Sequence, residues 1–240
     1  MVKASGARKL DAAKVVETLD HLRARVGERF PDSGLAQVCG ELTATAKATA
    51  QRARRLSRPY LGLRFLVLVV VLGAIALEAG LIIRLDWVRS VSKAEPLGLA
   101  SGLESAINLI LLSGAAAWFL LSLEARWKRG RVHKALHELR SFAHVIDMHQ
   151  LTKDPTIVLG PRTPSSPVRE MNRFQLARYL DYCAEMLALT AKLAALYAGE
   201  SDDPVIVAAV NDIETLTSDL GRKIWQKIMI LGQLDEARSA

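Results

Sequence analysis

Two long apolar runs, residues 65–83 and 105–123, constrain this chain more than any other feature. Each run is 19 residues long. As an α-helix such a run spans about 28 Å, close to the roughly 30 Å of a bilayer hydrocarbon core. The first run contains a single charged residue, Glu78, and the second contains none. Because a helix in the core of a soluble protein rarely stays apolar over this length, the runs predict two transmembrane helices joined by a short outer connection at 84–104.

Aromatic and basic residues flank the two runs as they do in integral membrane proteins. Tyr60 and Trp127 lie at one predicted boundary and Trp87 at the other, where amphipathic rings meet lipid headgroups. Positive charge is concentrated before the first run and after the second, and such flanks stay in the cytoplasm. We therefore expect both termini to be cytoplasmic, in a plasma membrane of the bacterial inner-membrane type. The juxtamembrane basic residues are Arg52, Arg54, Arg55, Arg58, Arg126, Lys128, Arg129 and Arg131.

The remaining sequence has helical apolar spacing and lacks the alternation typical of strands. The predicted fold class is an all-α membrane protein, a two-helix transmembrane hairpin with a cytoplasmic helical bundle. The predicted segments are an N-terminal helix pair (1–60), the transmembrane hairpin (61–123), a stalk helix (124–151), a Pro-rich linker (152–169) and a C-terminal helical hairpin (170–240).

Proline and glycine predict several helix ends. Ser166–Pro167 has the composition of a cap and first turn, and predicts the start of the first C-terminal helix. Asp203–Pro204 predicts the start of the second in the same way. Pro96, Gly98 and Gly102 are breakers that should keep the outer connection from being helical.

Two polar residues fall inside the apolar runs. Glu78 lies five residues from the outer end of its predicted helix, and Asn108 lies three residues inside the outer end of the other. In an antiparallel hairpin these side chains would be at similar depth. Ionisable groups in hydrocarbon are costly and face protein or water. Glu78 and Asn108 therefore either form an intramembrane hydrogen bond or line a polar conduit in an oligomer.

Small residues recur at helical spacing in both runs, at Gly73, Ala76 and Gly80 in the first and at Ser113 and Ala117 in the second. Small residues let two membrane helices approach closely. They predict a close helix contact, either within the hairpin or between two copies of the chain.

His133, His137 and His144 follow one face of the predicted stalk helix. His133 and His137, four residues apart, are weak candidates for metal ligands with His144 nearby. We expect no metal, because neither Cys nor Glu completes a recognised ligand set and Arg140 would lie beside the cation. A solvated polar stripe is the preferred interpretation, with pH sensing as another.

Cysteine content and motifs point away from catalysis. Cys39 and Cys183 both fall on the cytoplasmic side, where thiols stay reduced. Phosphate-binding, nucleophile-elbow, zinc-protease and dinucleotide motifs are all missing from the sequence. We therefore expect neither an enzyme nor a cofactor. The net charge of +7 is concentrated beside the predicted membrane, which indicates anionic headgroups and not nucleic acid as the partner.

The preferred function is a membrane-anchored helical scaffold or adaptor whose cytoplasmic bundle mediates self-association or partner recruitment. Its expected partners are the lipid bilayer, further copies of the chain and an unidentified cytoplasmic protein. The alternative is an oligomeric ion channel or membrane-perturbing effector with Glu78 and Asn108 near a polar path. A metal- or pH-sensing membrane protein is the third hypothesis.

Overall fold

The computed structural model describes residues 9–56, 60–84, 96–153, 155, 164–165 and 171–239. These residues form α-helices and no strand, so the predicted all-α class is confirmed. The helices are α1 (Ala12–Arg29), α2 (Gly34–Leu56), α3 (Leu61–Arg84), α4 (Pro96–Leu151), α5 (Arg173–Ala198) and α6 (Pro204–Ser239).

The chain divides into two compact units. Residues 1–57 and 129–240 form one, called here the bundle unit, and residues 58–128 form the other, called the hairpin unit. The bundle unit contains α1, α2, α5, α6 and the last part of α4. The hairpin unit contains α3 and the first part of α4, which hold the two apolar runs.

Helix α5 is the central helix of the bundle unit. It packs against α1, α2 and α6. Two adjacent apolar stripes in its sequence predict that other helices cover much of its circumference. The side chains of both stripes are buried. Its buried side chains are Leu176, Tyr179, Leu180, Tyr182, Cys183, Met186, Leu187, Leu189, Thr190, Leu193, Ala194, Leu196 and Tyr197.

The last part of α4 joins the same apolar core. Val132, Leu136, Leu139, Ala143 and Ile146 recur at spacings of three and four and are all buried. The helix continues through Gly130 without a break. A single glycine costs about 1 kcal/mol relative to alanine in a helix, which weakens a long helix without ending it.

The predicted starts of the C-terminal helices differ in outcome. Helix α6 begins at Pro204, as predicted, and the Asp203 carboxylate accepts a hydrogen bond from the Val205 N–H at 2.9 Å. Helix α5 begins at Arg173, so the predicted start at Ser166–Pro167 is wrong. Residues 166–170 themselves lie outside the described part of the chain. Asn172 and Gln175 form a capping box, in which each side chain accepts a hydrogen bond from the other's backbone N–H.

The start of α4 also differs from the prediction. The helix begins at Pro96, so Gly98 and Gly102 lie inside it and do not keep that part of the connection non-helical. Proline suits the first helical position, because its missing N–H would have no partner there and its φ angle is already helical. The connection between the two described helices is therefore 85–95, which lies outside the described residues.

Candidate functional site: the apolar hairpin unit

Two helical stretches of the chain are long and apolar enough to cross a membrane, judged by length and composition. The first lies within Gly34–Leu77, a range that covers α2 and part of α3, and the second lies within Ile110–Leu151 of α4. Their apolar windows have mean hydropathies of 2.4 and 1.2. Only 6% of the first window and 0% of the second is buried inside the protein. A core helix of a soluble protein would be mostly buried, so these two windows are not part of the described core.

Large apolar side chains cover the outside of the hairpin unit. Soluble monomers rarely expose a contiguous apolar patch larger than a few hundred Å², and larger patches mark contacts with lipid or protein. The exposed side chains are Leu61, Phe65, Leu66, Leu68, Val69, Val70, Leu72, Ile75, Leu77, Ile107, Ile110, Leu111, Leu112, Trp118, Phe119, Leu121 and Trp127.

One side of each helix in this unit is less exposed than the rest. On α3, Val67 is buried and Val71 is half-buried, four residues apart. On α4, Ser113, Ala117 and Leu120 are half-buried at spacings of four and three. These spacings place the residues on one face of each helix. Ser113 and Ala117 therefore lie on the seam along which the hairpin packs.

The small residues of α3 lie on the other side of that helix. At 100° per residue, Gly73 and Gly80 are displaced by about 120–140° from Val67, and Ala76 is displaced by about 180°. A Cβ atom built on Gly73 or Gly80 would meet nothing within 4 Å. This stripe therefore takes no part in the close packing of the described hairpin.

A carboxylate joins the two helices at the end of the apolar runs. The Glu124 side chain, 12% exposed, accepts three hydrogen bonds. Its donors are the Tyr60 backbone N–H at 3.3 Å, Arg64 Nε at 2.6 Å and Lys128 Nζ at 2.8 Å. Burial alone would raise the pKa of Glu124, but these donors outweigh it and hold the pKa at about 2. The carboxylate is therefore ionised at neutral pH.

Of the two polar residues predicted inside the membrane, only Asn108 has a described side chain. Glu78 lies in α3, but its side chain is outside the described part of the structure. Asn108 is exposed on α4. The hydrogen bond between them stays a prediction. Glu124 contacts both Tyr60 and Arg64, which lie 18 and 14 residues before Glu78 on α3. Counting the same numbers of residues back from Glu124 places Glu78 at the depth of residues 106–110 of α4, a range centred on Asn108.

Several of the predicted juxtamembrane cations bond to carboxylates of the same chain. Arg52 pairs with Glu138 at 3.2 Å, and Arg129 pairs with Asp203 at 2.8 Å. Lys128 pairs with Glu124, as described above. Their partners could not be found from charge counting, because residues 52 and 138 are 86 positions apart.

The other basic flanks remain at the surface. Arg126 lies over the Phe119 ring, with 5.0 Å from its Cζ to the ring centroid. Arg54, Arg55 and Arg131 are exposed, and Arg58 lies outside the described residues.

His133, His137 and His144 are all exposed on α4. Across the described residues, no three His, Cys, Asp or Glu side chains come together as a metal site would require. His149 of the same helix is half-buried, and no sequence pattern singled it out. A Cβ on Gly34 would lie 2.6 Å from its Cε1 atom, so a larger residue at the start of α2 would require the His149 ring to shift. Burial lowers the pKa of His149, and the positive charge of Lys153 lowers it further.

Cys39 and Cys183 are free and fully buried. Burial raises the pKa of Cys39 to about 11 and that of Cys183 to about 12. Both thiols are therefore protonated at neutral pH. Since the thiolate is the reactive form, neither cysteine is suited to nucleophilic chemistry.

The chain matches no family model, no curated protein and no solved structure. The described side chains form two contrasting surfaces. The hairpin unit is apolar outside and has one polar cluster, centred on Glu124. The bundle unit has an apolar interior and a charged exterior.

Proposed function

We propose that this chain is a membrane-anchored helical scaffold or adaptor. The hairpin unit spans the bilayer, both termini are cytoplasmic, and the bundle unit recruits a protein partner or a further copy of the chain. The observation that carries the proposal is the exposure of the two apolar windows, of which 6% and 0% are buried. Side chains this apolar need either lipid or another protein around them, and the length of each run suits lipid.

Several buried polar groups of the bundle unit are accounted for by hydrogen bonds within their own helices. Its buried hydroxyls include Thr43, Thr190 and Thr217, and each donates to a carbonyl oxygen one turn earlier in its own helix at 2.8 Å. The buried thiols are protonated, as described above. Each of these hydroxyls therefore satisfies its donor within its own helix.

The end of the hairpin unit near Glu124 suits an anionic membrane surface. Arg64 is 63% exposed, Arg126 is exposed, and Trp127 is 55% exposed. Arginine and tryptophan at the end of an apolar helix lie at headgroup level in membrane proteins. These side chains are the proposed contacts with anionic lipid headgroups.

The outward small-residue stripe of α3 supports self-association within the membrane. Gly73 and Ala76 are exposed on the side of α3 away from Val67 and Val71. Gly80 is half-buried, but a Cβ atom there would meet nothing within 4 Å. Small residues at this spacing are typical of contacts between membrane helices. We assign this stripe to the contact between two copies of the chain.

Changing Gly73 and Gly80 together to isoleucine should weaken self-association by at least tenfold. The added side chains would hold a second α3 helix away without disturbing the hairpin, because neither position has a neighbour within 4 Å. The measurement is the oligomer distribution in lipid nanodiscs or vesicles at several protein-to-lipid ratios. Gly114→Ile adds the same bulk to α4, where there is also nothing within 4 Å, and serves as the control. A monomeric native protein, or equal association of both variants, would contradict this assignment.

An oligomeric channel is the second candidate function. It is favoured by the register of the hairpin, which brings Glu78 within about 3 Å of the depth of exposed Asn108. The scaffold predicts no ion flux from reconstituted native protein. A cation current that disappears in Glu78→Gln would instead favour the channel, since a ring of carboxylates sets the field that an ion crosses.

A further inference from the structure

We infer that Glu124 is the positioning residue that fixes the pairing and the register of α3 and α4. The inference rests on the membrane insertion of the proposed function, but not on partner recruitment or self-association. Three observations carry it: the convergence of three donors on one carboxylate, the low exposure of that carboxylate, and its place at the start of α3.

The start of α3 is held by a side chain of α4. The Tyr60 carbonyl accepts the first hydrogen bond of the helix, from the Arg64 N–H at 3.0 Å, so Tyr60 is at the N-cap position. Tyrosine is not among the residues whose side chains cap helices. Glu124 Oε1 accepts the Tyr60 N–H from the neighbouring helix, as the N3 carboxylate of a capping box accepts the N-cap N–H. A carboxylate at this end of a helix also interacts favourably with the helix dipole.

Cations hold the same carboxylate on two sides. Arg64 Nε donates to Oε2 from α3, and Lys128 Nζ donates to Oε1 from the next turn of α4. The Lys128 ammonium also lies 5.3 Å from the centroid of the Tyr60 ring. Both side-chain contacts are charge-assisted, which makes them stronger than hydrogen bonds between neutral groups.

Most of the other described seam residues are apolar and provide little directional information. Its less exposed residues are small or aliphatic, such as Val67, Val71 and Ala117. Apolar contacts are non-directional. In lipid, moreover, no hydrophobic driving force distinguishes one apolar face from another. The Glu124 cluster therefore selects which faces meet and how far one helix slides along the other.

The distance between spin labels on the two helices tests this inference directly. Labels are attached to cysteines at Phe65 and Leu121, each 68% exposed in the native protein, and only membrane-inserted full-length chains are measured. The buried native thiols should not take up the label. Native Glu124 should give one narrow distance distribution. Glu124→Leu should at least double its width or shift its centre, Glu124→Gln should have a smaller effect in the same direction, and Glu124→Asp should restore most of the native width.

Two further variants separate positioning from a general loss of folding. Arg64→Gln removes a donor from the opposite helix and should broaden the distribution, as Glu124→Gln does. Glu104→Gln removes an exposed carboxylate from the same helix and should leave the distribution unchanged. Native distributions in Glu124→Leu and Arg64→Gln would overturn the inference. Equal broadening in Glu104→Gln would also overturn it, because the effect would then not be specific to this cluster.

Discussion

Arginine in the middle of both apolar runs should remove this chain from the membrane. Leu72 and Leu112 are each the eighth residue of a 19-residue run, and both are exposed at 55% and 72%. At the centre of a membrane helix, replacing leucine by arginine changes the insertion free energy by about 3 kcal/mol. The double variant Leu72→Arg/Leu112→Arg should therefore lose about 6 kcal/mol, and should be found in the soluble, aggregated or degraded fraction after alkaline extraction.

Arginine substitutions near the ends of the two apolar runs give a matched control. Leu61 and Trp127 are 72% and 55% exposed, and long basic side chains at helix ends can reach the headgroups. Leu61→Arg/Trp127→Arg should stay in the membrane pellet. Retention of the Leu72→Arg/Leu112→Arg chain would indicate that the apolar windows contact protein and not lipid.

Shortening a buried side chain of α5, the central helix of the bundle unit, should destabilise that unit severely. Leu187 of α5 is fully buried. Leu187→Ala removes apolar contacts and leaves a cavity, changes that together cost about 2–5 kcal/mol in well-packed cores. For a unit of this size the melting temperature should fall by about 4–20 °C. Thermal unfolding of the full-length protein in nanodiscs, followed by circular dichroism, measures the change.

Leu151→Ala is the control for this truncation. It removes the same atoms from a side chain that is 54% exposed in the same unit, and should change the unfolding free energy by less than about 0.5 kcal/mol. A Leu187→Ala protein as stable as Leu151→Ala would show that α5 is not the central helix.

Apolar periodicity predicted the helical class and much of the core from sequence. The burial of Leu136, Leu139 and Ile146 on α4 follows from spacings of three and four, which a helix turns to one face. The start of α6 was also predictable, because the chemistry of Asp203–Pro204 is local to the chain. Prediction succeeded where neighbouring residues determine the structure.

The helix starts that were missed are partly explained by competing local signals. Pro96 suits a first helical turn as well as a break, and the two glycines after it weaken α4 without ending it. The Asn172–Gln175 capping box was visible in the sequence, but the proline-rich segment before it provided an earlier start signal.

The Glu124 cluster could not be predicted from sequence. Its contacts with Tyr60 and Arg64 join positions 64 and 60 residues apart, and only tertiary structure brings them together. Charge counting treats Lys128 as a free juxtamembrane cation, whereas the structure pairs it with Glu124. Partner identity depends on the packing of helices, which no local pattern encodes.

The side of the membrane on which each unit lies tests the account most directly. Single cysteines are introduced at Ser90, between the apolar runs, and at exposed Ser141 in the bundle unit, and intact cells are treated with an impermeant thiol reagent. Native Cys39 and Cys183 are buried and should add no signal. We expect Ser90→Cys to be labelled in intact cells and Ser141→Cys to be labelled only after the membrane is opened. Labelling of Ser141→Cys in intact cells, or equal labelling of both cysteines, would contradict a transmembrane hairpin with cytoplasmic termini.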